Sequence, residues 1–449
     1  MYLTLTNNLK HLNKEQKEAL RLMCSYSSKL YNVALYNVRQ YYFQEKKFLT
    51  YESNYHLCKE NENYKLLQAG VSQQVLKQVD RNFKAFFSIC KRVKNNEYRY
   101  FINKPPKYKE KDSYSILILS SNAITVKNGK MKIPMSLQFM QKQECRIYLT
   151  IPQKIINNKI KEVRIIPDKY GDNFKVQYVY EYINENSKEL NDNFLGIDIG
   201  LDNLLTCVGY TGSSFIIDGK YLKSINHYWN KSVAKLLSIA NKQGLKSTKR
   251  IRNLTIQRNN RVRDYIYKIC KYIINYCLQN DITKLICGYN TEFKNNINLG
   301  KRNNQNFTTI SFGLIREHLK ILCEKYGLQY IEQEESYTSK ASFYDLDEIP
   351  IYNADNPINY QFSGKRIKRG LYKSKNGELL NADVNGALNI MRKSKQNFNY
   401  ERLCRGLLCS PRRIRLRQTS SKEMYKYIST QPYPTNILHI SMEENKREI

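Results

Sequence analysis

The spacing of hydrophobic positions changes along the chain, and each change predicts a different kind of structure. From residue 15 to residue 93, apolar residues recur mostly at helix-compatible intervals, which predicts helices. Between residues 105 and 182 they form short runs separated by turn signals such as Asn128-Gly129, which predicts strands. From Phe194 onward, strand-like runs and helical stretches alternate, which predicts an α/β domain.

These changes divide the chain into several modules. The short strand-like runs are typical of a small β-barrel, with Leu3-Thr4-Leu5 as a candidate first strand and the helical stretch as an insertion. The polar stretch from Asn184 to Asn193 is a candidate linker. The predicted modules are the barrel at residues 1–14 and 101–190, the helical module at 15–100, the α/β domain at 194–341 and 381–395, an insertion at 342–380, and a basic C-terminal tail at 396–449.

The α/β domain is predicted to follow the order strand, strand, helix, strand, helix, strand. The strands are expected at residues 194–197, 204–208, 284–288 and 328–332, and the helices at 242–271 and 311–326. This order is consistent with an RNase H-like domain.

Two short acidic motifs at the edges of apolar elements are the strongest candidates for chemistry. In Gly-Ile-Asp-Ile-Gly at residues 196–200, Asp198 is expected near the exit of a buried strand. In Asn-Ala-Asp-Val-Asn-Gly-Ala at residues 381–387, Asp383 is expected to cap a helix. Two carboxylates that converge from remote segments suit divalent metal ions, because hard oxygen ligands hold magnesium and leave positions for water and phosphate. The pair therefore indicates nuclease chemistry.

The whole chain is strongly basic. Its 449 residues include 74 Lys and Arg against 40 Asp and Glu, a net charge of +34, which indicates a polyanionic partner. Ribosomal and membrane-surface proteins share this balance, but 37 Tyr and 16 Phe add faces for stacking and favour nucleic acid with unpaired or RNA regions. The candidate nucleic-acid-binding residues are Gln73, Gln74, Lys77, Gln78 and Arg81, then Lys249, Arg250, Arg252, Arg258 and Arg261, and finally Lys365, Arg366, Lys368 and Arg369.

The cysteines and the apolar runs indicate the compartment. The 11 cysteines are odd in number, scattered and mostly inside apolar patterns, so we expect reduced core residues. No Cys-x-x-Cys pair occurs, so a zinc site of the usual cysteine type has no ligands. No run of about 18 apolar residues is present, and the first residues lack signal-peptide features. We therefore expect a cytoplasmic protein without a membrane partner.

Three segments resemble the RuvC-like nuclease of the TnpB family. They are Asp198 in Gly-Ile-Asp-Ile-Gly, the segment Thr338-Ser339-Lys340, and Asp383 in Ala-Asp-Val-Asn-Gly-Ala-Leu-Asn-Ile. TnpB proteins are RNA-guided endonucleases of insertion sequences and are similar to type V CRISPR effectors and Fanzor nucleases. The resemblance covers nearly the whole chain. It implies a multidomain protein with an α/β RNase H-like (RuvC) nuclease domain and a β-barrel wedge domain that carries an inserted helical recognition domain.

The resemblance also implies an activity and its partners. An RNA-guided DNA endonuclease of a transposable element would bind a guide RNA and target double-stranded DNA, and would cut beside a short flanking motif. Cleavage would be two-metal hydrolysis with Mg²⁺, or Mn²⁺ instead, held by Asp198, Glu335 and Asp383. The glutamine-rich face from Gln73 to Arg81 would read the flanking motif, or it is an ordinary polar surface. The protein is expected in a bacterial cytoplasm, associated with the nucleoid.

One departure from the family pattern concerns the third acid. The family usually has a glutamate directly after the strand at 285–287, where this chain has Gly288. Relatives with a rearranged site use a glutamate just before the Tyr-Thr-Ser-Lys segment, which makes Glu335 the candidate. Glu334 and Glu292 stay open as alternatives. Side-chain alternation places Glu334 and Glu335 on opposite faces of a strand, and only one face meets Asp198.

The second departure concerns zinc. Between residues 342 and 380 the family usually carries a four-cysteine zinc ribbon, and Ser342 stands near the first expected cysteine. We predict a zinc-free insertion with a basic hairpin at residues 363–373 that lies against phosphates. Its packing is expected to come from Phe343, Tyr344, Ile349, Ile351, Tyr352, Tyr360 and Phe362.

Two other functions stay open. Gly288 suits an RNA-guided DNA-binding repressor that has lost cleavage, whereas Asp198, Asp383 and Glu335 argue against that loss. RNase H-like folds also serve DNA strand transfer, so a DNA transposase is a third interpretation, disfavoured by the large N-terminal modules. The sequence leaves the oligomeric state open.

Overall fold

The structure of the protein is a computed structural model that describes residues 1–95, 104–184, 189–290, 312–352, 358–394 and 408–416. The chain forms two compact units, Met1–Ile183 and Asn184–Ile449. The division falls at the start of the predicted linker and before the predicted end of the barrel module at residue 190. Among the helices in these ranges, none is long and apolar enough to cross a membrane.

Helices make up the predicted helical module of the first unit. They are α1 (Lys14–Glu45), α2 (Tyr51–Cys58), α3 (Glu62–Lys65) and α4 (Ala69–Lys94), followed later by α5 (Leu137–Lys142). At the start of α1, the Asn13 side chain accepts a hydrogen bond from the Gln16 N–H, and the Gln16 side chain accepts one from the Asn13 N–H. Helix α4 buries the face that contains Val75, Val79 and Phe83, as its spacing predicts.

The described strands of the first unit form two hydrogen-bonded sheets, which differs from the single small barrel that the pattern predicts. The strands are β1 (Tyr2–Asn8), β2 (Leu117–Ser120), β3 (Thr125–Lys127), β4 (Lys130–Lys132), β5 (Tyr148–Thr150), β6 (Ile160–Pro167) and β7 (Phe174–Glu181). One sheet has the order β1-β7-β6-β2 and the other β3-β4-β5. A 3₁₀ turn at Ser121–Ala123 lies between β2 and β3, where the chain leaves the first sheet. Leu3 and Leu5 lie in β1, as predicted, and pair with β7.

The central sheet of the second unit has six strands. They are β8 (Phe194–Ile199), β9 (Asn203–Gly209), β10 (Ser214–Asp218), β11 (Lys284–Tyr289), β12 (Gln329–Glu334) and β16 (Arg412–Ile414), in the order β12-β11-β8-β9-β10-β16. The first three form an antiparallel meander, and β11 and β12 run parallel to β8. The sequence pattern predicts neither β10 nor β16. Strand β16 belongs to the predicted basic tail and is ordered by parallel pairing with β10.

Four described helices cover this sheet. They are α6 (Lys220–Lys242), α7 (Lys249–Gln279), α8 (Phe312–Tyr326) and α9 (Ala382–Lys393). The predicted helix at 242–271 is wrong at its start. Lys242 ends α6, Gly244 takes a positive φ of 68°, and α7 begins after Thr248, whose hydroxyl accepts a hydrogen bond from the Ile251 N–H.

The sheet lies between two cores. Leu285 and Cys287 of β11 pack with residues of α7 and α8, whereas Ile286 packs with residues of α9. Helix α9 approaches β8 closely at Gly196, where an added Cβ would lie 2.3 Å from Cγ of Met391. Because neighbouring residues on a strand point to opposite faces, alternate positions of β8 and β11 face α9.

The described part of the insertion forms a small antiparallel sheet that includes the predicted basic hairpin. Its strands are β13 (Lys365–Lys368), β14 (Leu371–Lys373) and β15 (Leu379–Asn381). Phe343 is buried, as predicted, and the partly exposed rings of Tyr352, Tyr360 and Phe362 pack on Tyr337. Ile351 is 71% exposed, so the predicted packing is wrong for that residue. The interior is filled by Tyr372 instead, whose hydroxyl donates to the Lys340 carbonyl at 2.7 Å.

The cysteines of the described residues are free thiols, as expected. Eight are buried, and seven of these lie inside strands or helices, which accounts for the apolar patterns around them; the eighth is Cys145. Cys404 lies outside the described residues.

Gly196→Ala should destabilise the protein by about 1–3 kcal/mol, because the new methyl group would overlap the Met391 side chain. Urea unfolding measures the change. Gly313→Ala in α8 is the matched control, because nothing lies within 4 Å of a Cβ at that position. Alanine favours a helix over glycine, so the control should leave stability unchanged or raise it. Equal losses in both variants would contradict the close approach of α9 and β8.

Lys109 gives a pH dependence to the stability of the first unit. Its ammonium lies 4.2 Å from the centroid of the Tyr31 ring and 2.6 Å from Oγ of Ser115, and burial lowers its pKa from 10.5 to about 8. The unfolded chain holds this proton more tightly, so the destabilising effect present below pH 8 fades as the pH rises from about 8 to about 10.5. Over that window the free energy of unfolding should rise relative to that of Lys109→Met, measured in urea. If the free energies of unfolding of the wild type and Lys109→Met changed in parallel with pH, the lowered pKa of Lys109 would be contradicted.

Candidate active site

Asp198 lies in β8, on the face of the sheet that carries α9. Its neighbour Ile197 points into the core on the opposite face. An added Cβ on Gly386 of α9 would lie 2.8 Å from Oδ2 of Asp198, so the helix has room for this carboxylate only because residue 386 is glycine. Burial raises the pKa of Asp198 well above its usual value, and the nearby charges of Glu335 and Asp383 raise it further.

Asp383 is the second residue of α9 and does not cap the helix, so that prediction is wrong. The cap is Asn381, whose side-chain oxygen accepts hydrogen bonds from the N–H groups of Asp383 at 3.0 Å and Val384 at 3.3 Å. The Asp383 carboxylate is therefore available to other partners. It forms an ion pair with Arg366 at 3.1 Å and accepts a hydrogen bond from the Asn203 amide.

Glu335 directly follows β12, and its carboxylate fills the space over Gly288. The Glu335 N–H donates to the Tyr289 carbonyl at 3.2 Å, which ties it to the end of β11. An added Cβ on Gly288 would lie 2.7 Å from Oε2 of Glu335. This oxygen is buried and has no hydrogen-bond partner. Burial raises the pKa of Glu335 to about 7, and the positive charge of Arg316 opposes the shift.

The structure distinguishes Glu335 from Glu334, one of the two alternative acids. Glu334 forms an ion pair with Lys393 at 2.5 Å and accepts a hydrogen bond from the Ser336 N–H at 2.6 Å. Burial alone would raise the pKa of Glu334, but these hydrogen bonds lower it overall. Glu292 lies outside the described residues. Glu334 therefore serves a structural ion pair, while Glu335 lies with Asp198.

Two buried asparagines of α9, which the sequence pattern does not single out, position the segment after Glu335. Asn389 Nδ2 donates to the carbonyls of Thr338 at 2.9 Å and Ala341 at 2.7 Å, and Asn385 Nδ2 donates to Ala341 at 2.8 Å. The Thr338 hydroxyl in turn donates to the Glu335 carbonyl at 2.8 Å. Two asparagines four residues apart in an apolar helix share a face and are costly to bury without partners, which is a signal that the sequence contains.

The three acids have the donor chemistry of a site for a hard divalent cation. They offer carboxylate oxygens, and Oε2 of Glu335 is a buried acceptor without a donor. As they stand, no three His, Cys, Asp or Glu side chains of the described ranges are grouped to hold a metal ion. Asp383 is engaged by Arg366 and Asn203 instead. A cation at Asp383 would therefore replace the guanidinium charge.

The basic hairpin of the insertion contacts acids. Arg366 pairs with Asp383, and Arg369 pairs with Asp202 in the turn after β8. Two of the four predicted phosphate-binding residues of this hairpin therefore hold carboxylates in the structure. The other two, both exposed, are Lys365 and Lys368.

The remaining predicted nucleic-acid-binding residues lie on two helices. On α4 the exposed ones are Lys77 and Arg81, and the partly buried ones are Gln73, Gln74 and Gln78. Gln73 also hydrogen-bonds the Tyr64 side chain, so part of the glutamine-rich face has a structural role. On α7 the exposed ones are Lys249, Arg250 and Arg261, and the partly buried ones are Arg252 and Arg258.

Comparison with known proteins gives three similarities. Residues 177–294 match the OrfB_IS605 family, described as "Probable transposase". The TnpB-like protein ORF457 of Acidianus two-tailed virus is 23% identical over 423 residues, which cover 85% of this chain and 84% of that protein. The cryo-EM structure of a Cas12f1–sgRNA–target DNA complex aligns with a TM-score of 0.59 at 16% identity, over 84% of this chain and 83% of Cas12f1. This last likeness shows a shared fold.

Glu335→Gln and Glu334→Gln should change stability in opposite directions. Without divalent ions at about pH 8, Glu335→Gln removes a buried charge beside other acids and should raise the free energy of unfolding by ~1 kcal/mol. Glu334→Gln leaves Lys393, whose side chain is only 8% exposed, without its anionic partner, and should lower it by about 1–3 kcal/mol. Urea unfolding with EDTA measures both. A loss of stability in Glu335→Gln would contradict the repulsion inferred for this site.

Proposed function

The chain belongs to the TnpB family, and we propose that it is an RNA-guided DNA endonuclease encoded by a transposable element. The observation that carries the proposal is the carboxylate of Glu335 in the space over Gly288, beside Asp198. A buried acid without a hydrogen-bond partner lowers stability, and a protein that had lost cleavage would have no use for it.

The strand order of the second unit supports an RNase H-like (RuvC) nuclease domain. An antiparallel meander of β8, β9 and β10 is extended by β11 and β12 parallel to β8, which is the arrangement proposed for that domain. The acids lie in β8, directly after β12 and at the start of α9. The helices and the two sheets of the first unit are the proposed recognition and wedge domains.

Asp198, Glu335 and Asp383 are the proposed ligands of two Mg²⁺ or Mn²⁺ ions. Bound there, the ions would supply Lewis-acid chemistry for attack of water on a phosphodiester and departure of the 3′ oxygen. Asn203 and Arg366 orient the Asp383 carboxylate. The Tyr289 carbonyl and Thr338 hold the backbone of Glu335 in place before substrate binds.

The proposed partners are a guide RNA and target double-stranded DNA. Cas12f1, which shares the fold, was solved with sgRNA and target DNA. The net charge of +34 supplies attraction to both polyanions. In this proposal base pairing with the guide selects the target, and the α4 face with Lys77 and Arg81 contacts the flanking duplex.

Two other functions are outcomes of the same test. An RNA-guided DNA-binding protein without cleavage is favoured by the ion pair of Arg366 with Asp383, because this pair competes with a metal ion. A transposase is favoured by the description of the matching family model.

The test combines the full chain with RNA transcribed from its own locus, a double-stranded target library and Mg²⁺. We expect guide-dependent double-strand breaks, and Asp198→Asn or Asp383→Asn should slow cleavage by at least ~100-fold. Glu332→Gln, an exposed glutamate of β12, is the matched control and should cut like the wild type. Guide-dependent binding without cuts would favour the repressor, and strand-joined products would favour the transposase.

Moving the third acid between two positions tests Glu335 directly. Glu335→Ala should abolish cleavage, and adding Gly288→Glu should restore part of it, because the Cβ of residue 288 lies 2.7 Å from the position of Oε2 of Glu335. Partial recovery is expected because the flexible end of Ile390, 2.6 Å from that Cβ, has to move. The control is the double variant with Gly288→Gln and Glu335→Ala, which has the same size without the charge and should stay inactive. Equal cleavage rates in the two double variants would contradict the assignment.

A further inference from the structure

A groove that lies between α6 and α7 and continues along α7 combines aromatic and basic side chains. Two neighbouring cavities, of about 340 Å³ and about 470 Å³, share Leu254 and Gln257 and form one continuous depression. Trp229 and Arg261 line the first cavity, and Lys249 lines the second. The groove is separate from the three acids of the candidate active site.

Trp229 is the single tryptophan of the chain, and its ring is fixed on the wall of this groove. Its Nε1 donates to the Thr255 hydroxyl at 3.2 Å. The Arg258 guanidinium lies 5.3 Å from the ring centroid and is held by a hydrogen bond to Oδ1 of Asn226 at 2.8 Å. The ring is only partly buried. A planar ligand can therefore stack on it with little further loss of side-chain entropy.

Two tyrosines of α6 extend this aromatic surface. Tyr228 lines the same cavity and is 61% exposed. Tyr221 also lines the cavity, and its ring packs on Tyr265 with centroids 4.8 Å apart. Contiguous exposed aromatic surface beside polar residues is typical of a binding site.

The charge of the groove favours an anion. The cations that line the two cavities are Lys249, Arg250, Arg258 and Arg261. None of the residues that line these two cavities carries a carboxylate. Residues 250 and 261 are roughly 16 Å apart along α7, by the rise of 1.5 Å per residue, which a strand of a few nucleotides spans. Stacking faces next to a line of cations are the features of a site for unpaired polynucleotide.

We propose that this groove binds an unpaired segment of a polynucleotide, with bases stacked on Trp229 and Tyr228 and phosphates against Arg261, Arg250 and Lys249. A duplex does not fit this role, because its base faces are already stacked within the helix. The inference rests on the nucleic-acid binding of the proposed function and does not require cleavage. An unpaired part of a guide RNA and a displaced DNA strand share this chemistry, so the test compares both.

Trp229 is also the probe, because all tryptophan emission of the full chain comes from this ring. The nucleic-acid-free protein is titrated with four ligands: a short oligoadenylate RNA, DNA of the same sequence, an abasic strand of the same length, and a blunt duplex. We expect the two base-containing single strands to quench the emission by about half or more, and the other two to bind with little quenching. Stronger binding of the RNA would assign the groove to the guide, and stronger binding of the DNA to the displaced strand.

Affinities come from the anisotropy of labelled RNA. Trp229→Leu should weaken binding by roughly 5- to 150-fold, the factor that corresponds to about 1–3 kcal/mol per stacked base. Trp229→Phe keeps an aromatic ring and should retain most of the affinity. Tyr267→Leu, an exposed aromatic residue of α7 outside the groove, is the matched control and should bind like the wild type. Circular dichroism establishes that each variant is folded.

Single-strand binding that leaves Trp229 emission unchanged, with Trp229→Leu and Tyr267→Leu equally tight, would overturn the proposal. Equal quenching by the abasic strand would also overturn it, because phosphates alone would then explain the signal. Quenching in a protein that never cuts DNA would refute the endonuclease and leave the groove intact. Cleavage of DNA without quenching of Trp229 would support the endonuclease and refute the groove as a binding site.

Discussion

The close approach of α9 to β8 is the constraint on which the candidate site depends. Gly196 leaves room for Met391, and Gly386 leaves room for the carboxylate of Asp198. An added Cβ at Gly196 would also lie 3.1 Å from the Ala387 carbonyl oxygen, so a side chain at either glycine would disturb the packing of the helix on the strand. Core packing between α9 and β8 keeps the two elements close together. An added methyl group is costly there, because protein interiors are densely packed. The motifs that contain Asp198 and Asp383 are remote in sequence, and they can pack together because residues 196 and 386 are glycines.

The assembled site works against folding, and the surrounding charges offset only part of that effect. Burial and like charges raise the pKa values of Asp198 and Glu335, which means that their ionised forms are disfavoured in the folded protein. Arg316 opposes this at Glu335, and Arg366 pairs with Asp383. Half-exposed arginines such as Arg366 can exchange a carboxylate for a phosphate without disturbing a core. The hairpin that carries Arg366 is therefore suited to a site whose occupants change.

The sequence predicts what local pattern encodes and misses what long-range contacts decide. Short continuous apolar runs locate β8 and β11, and turn residues locate the basic hairpin, because these signals act within a few residues. The cap of α9 is different, since Asn381 and Asp383 are equally good caps and only the packing of the helix start selects the first. Strand β16 has two arginines in three residues and becomes a strand only by pairing with β10. Asn385 and Asn389 likewise bind the carbonyls of Thr338 and Ala341 only in the folded chain, because these residues are more than 40 positions apart in sequence.

The pleat of two neighbouring strands is consistent with Glu335, rather than Glu334, lying over Gly288. Ile331 of β12 and Ile286 of β11 both contact the core under α9. Odd-numbered positions of β12 and even-numbered positions of β11 therefore face α9. Continuing the alternation, residue 288 on β11 and residue 335 after β12 reach the same region from adjacent strands, whereas Glu334 has the opposite parity. A Cβ at residue 288 would lie 2.6 Å from Cδ1 of Ile390 and 2.7 Å from Oε2 of Glu335, so both of these side chains would have to move. Glycine at residue 288 therefore leaves room for both the Ile390 side chain and the carboxylate of Glu335.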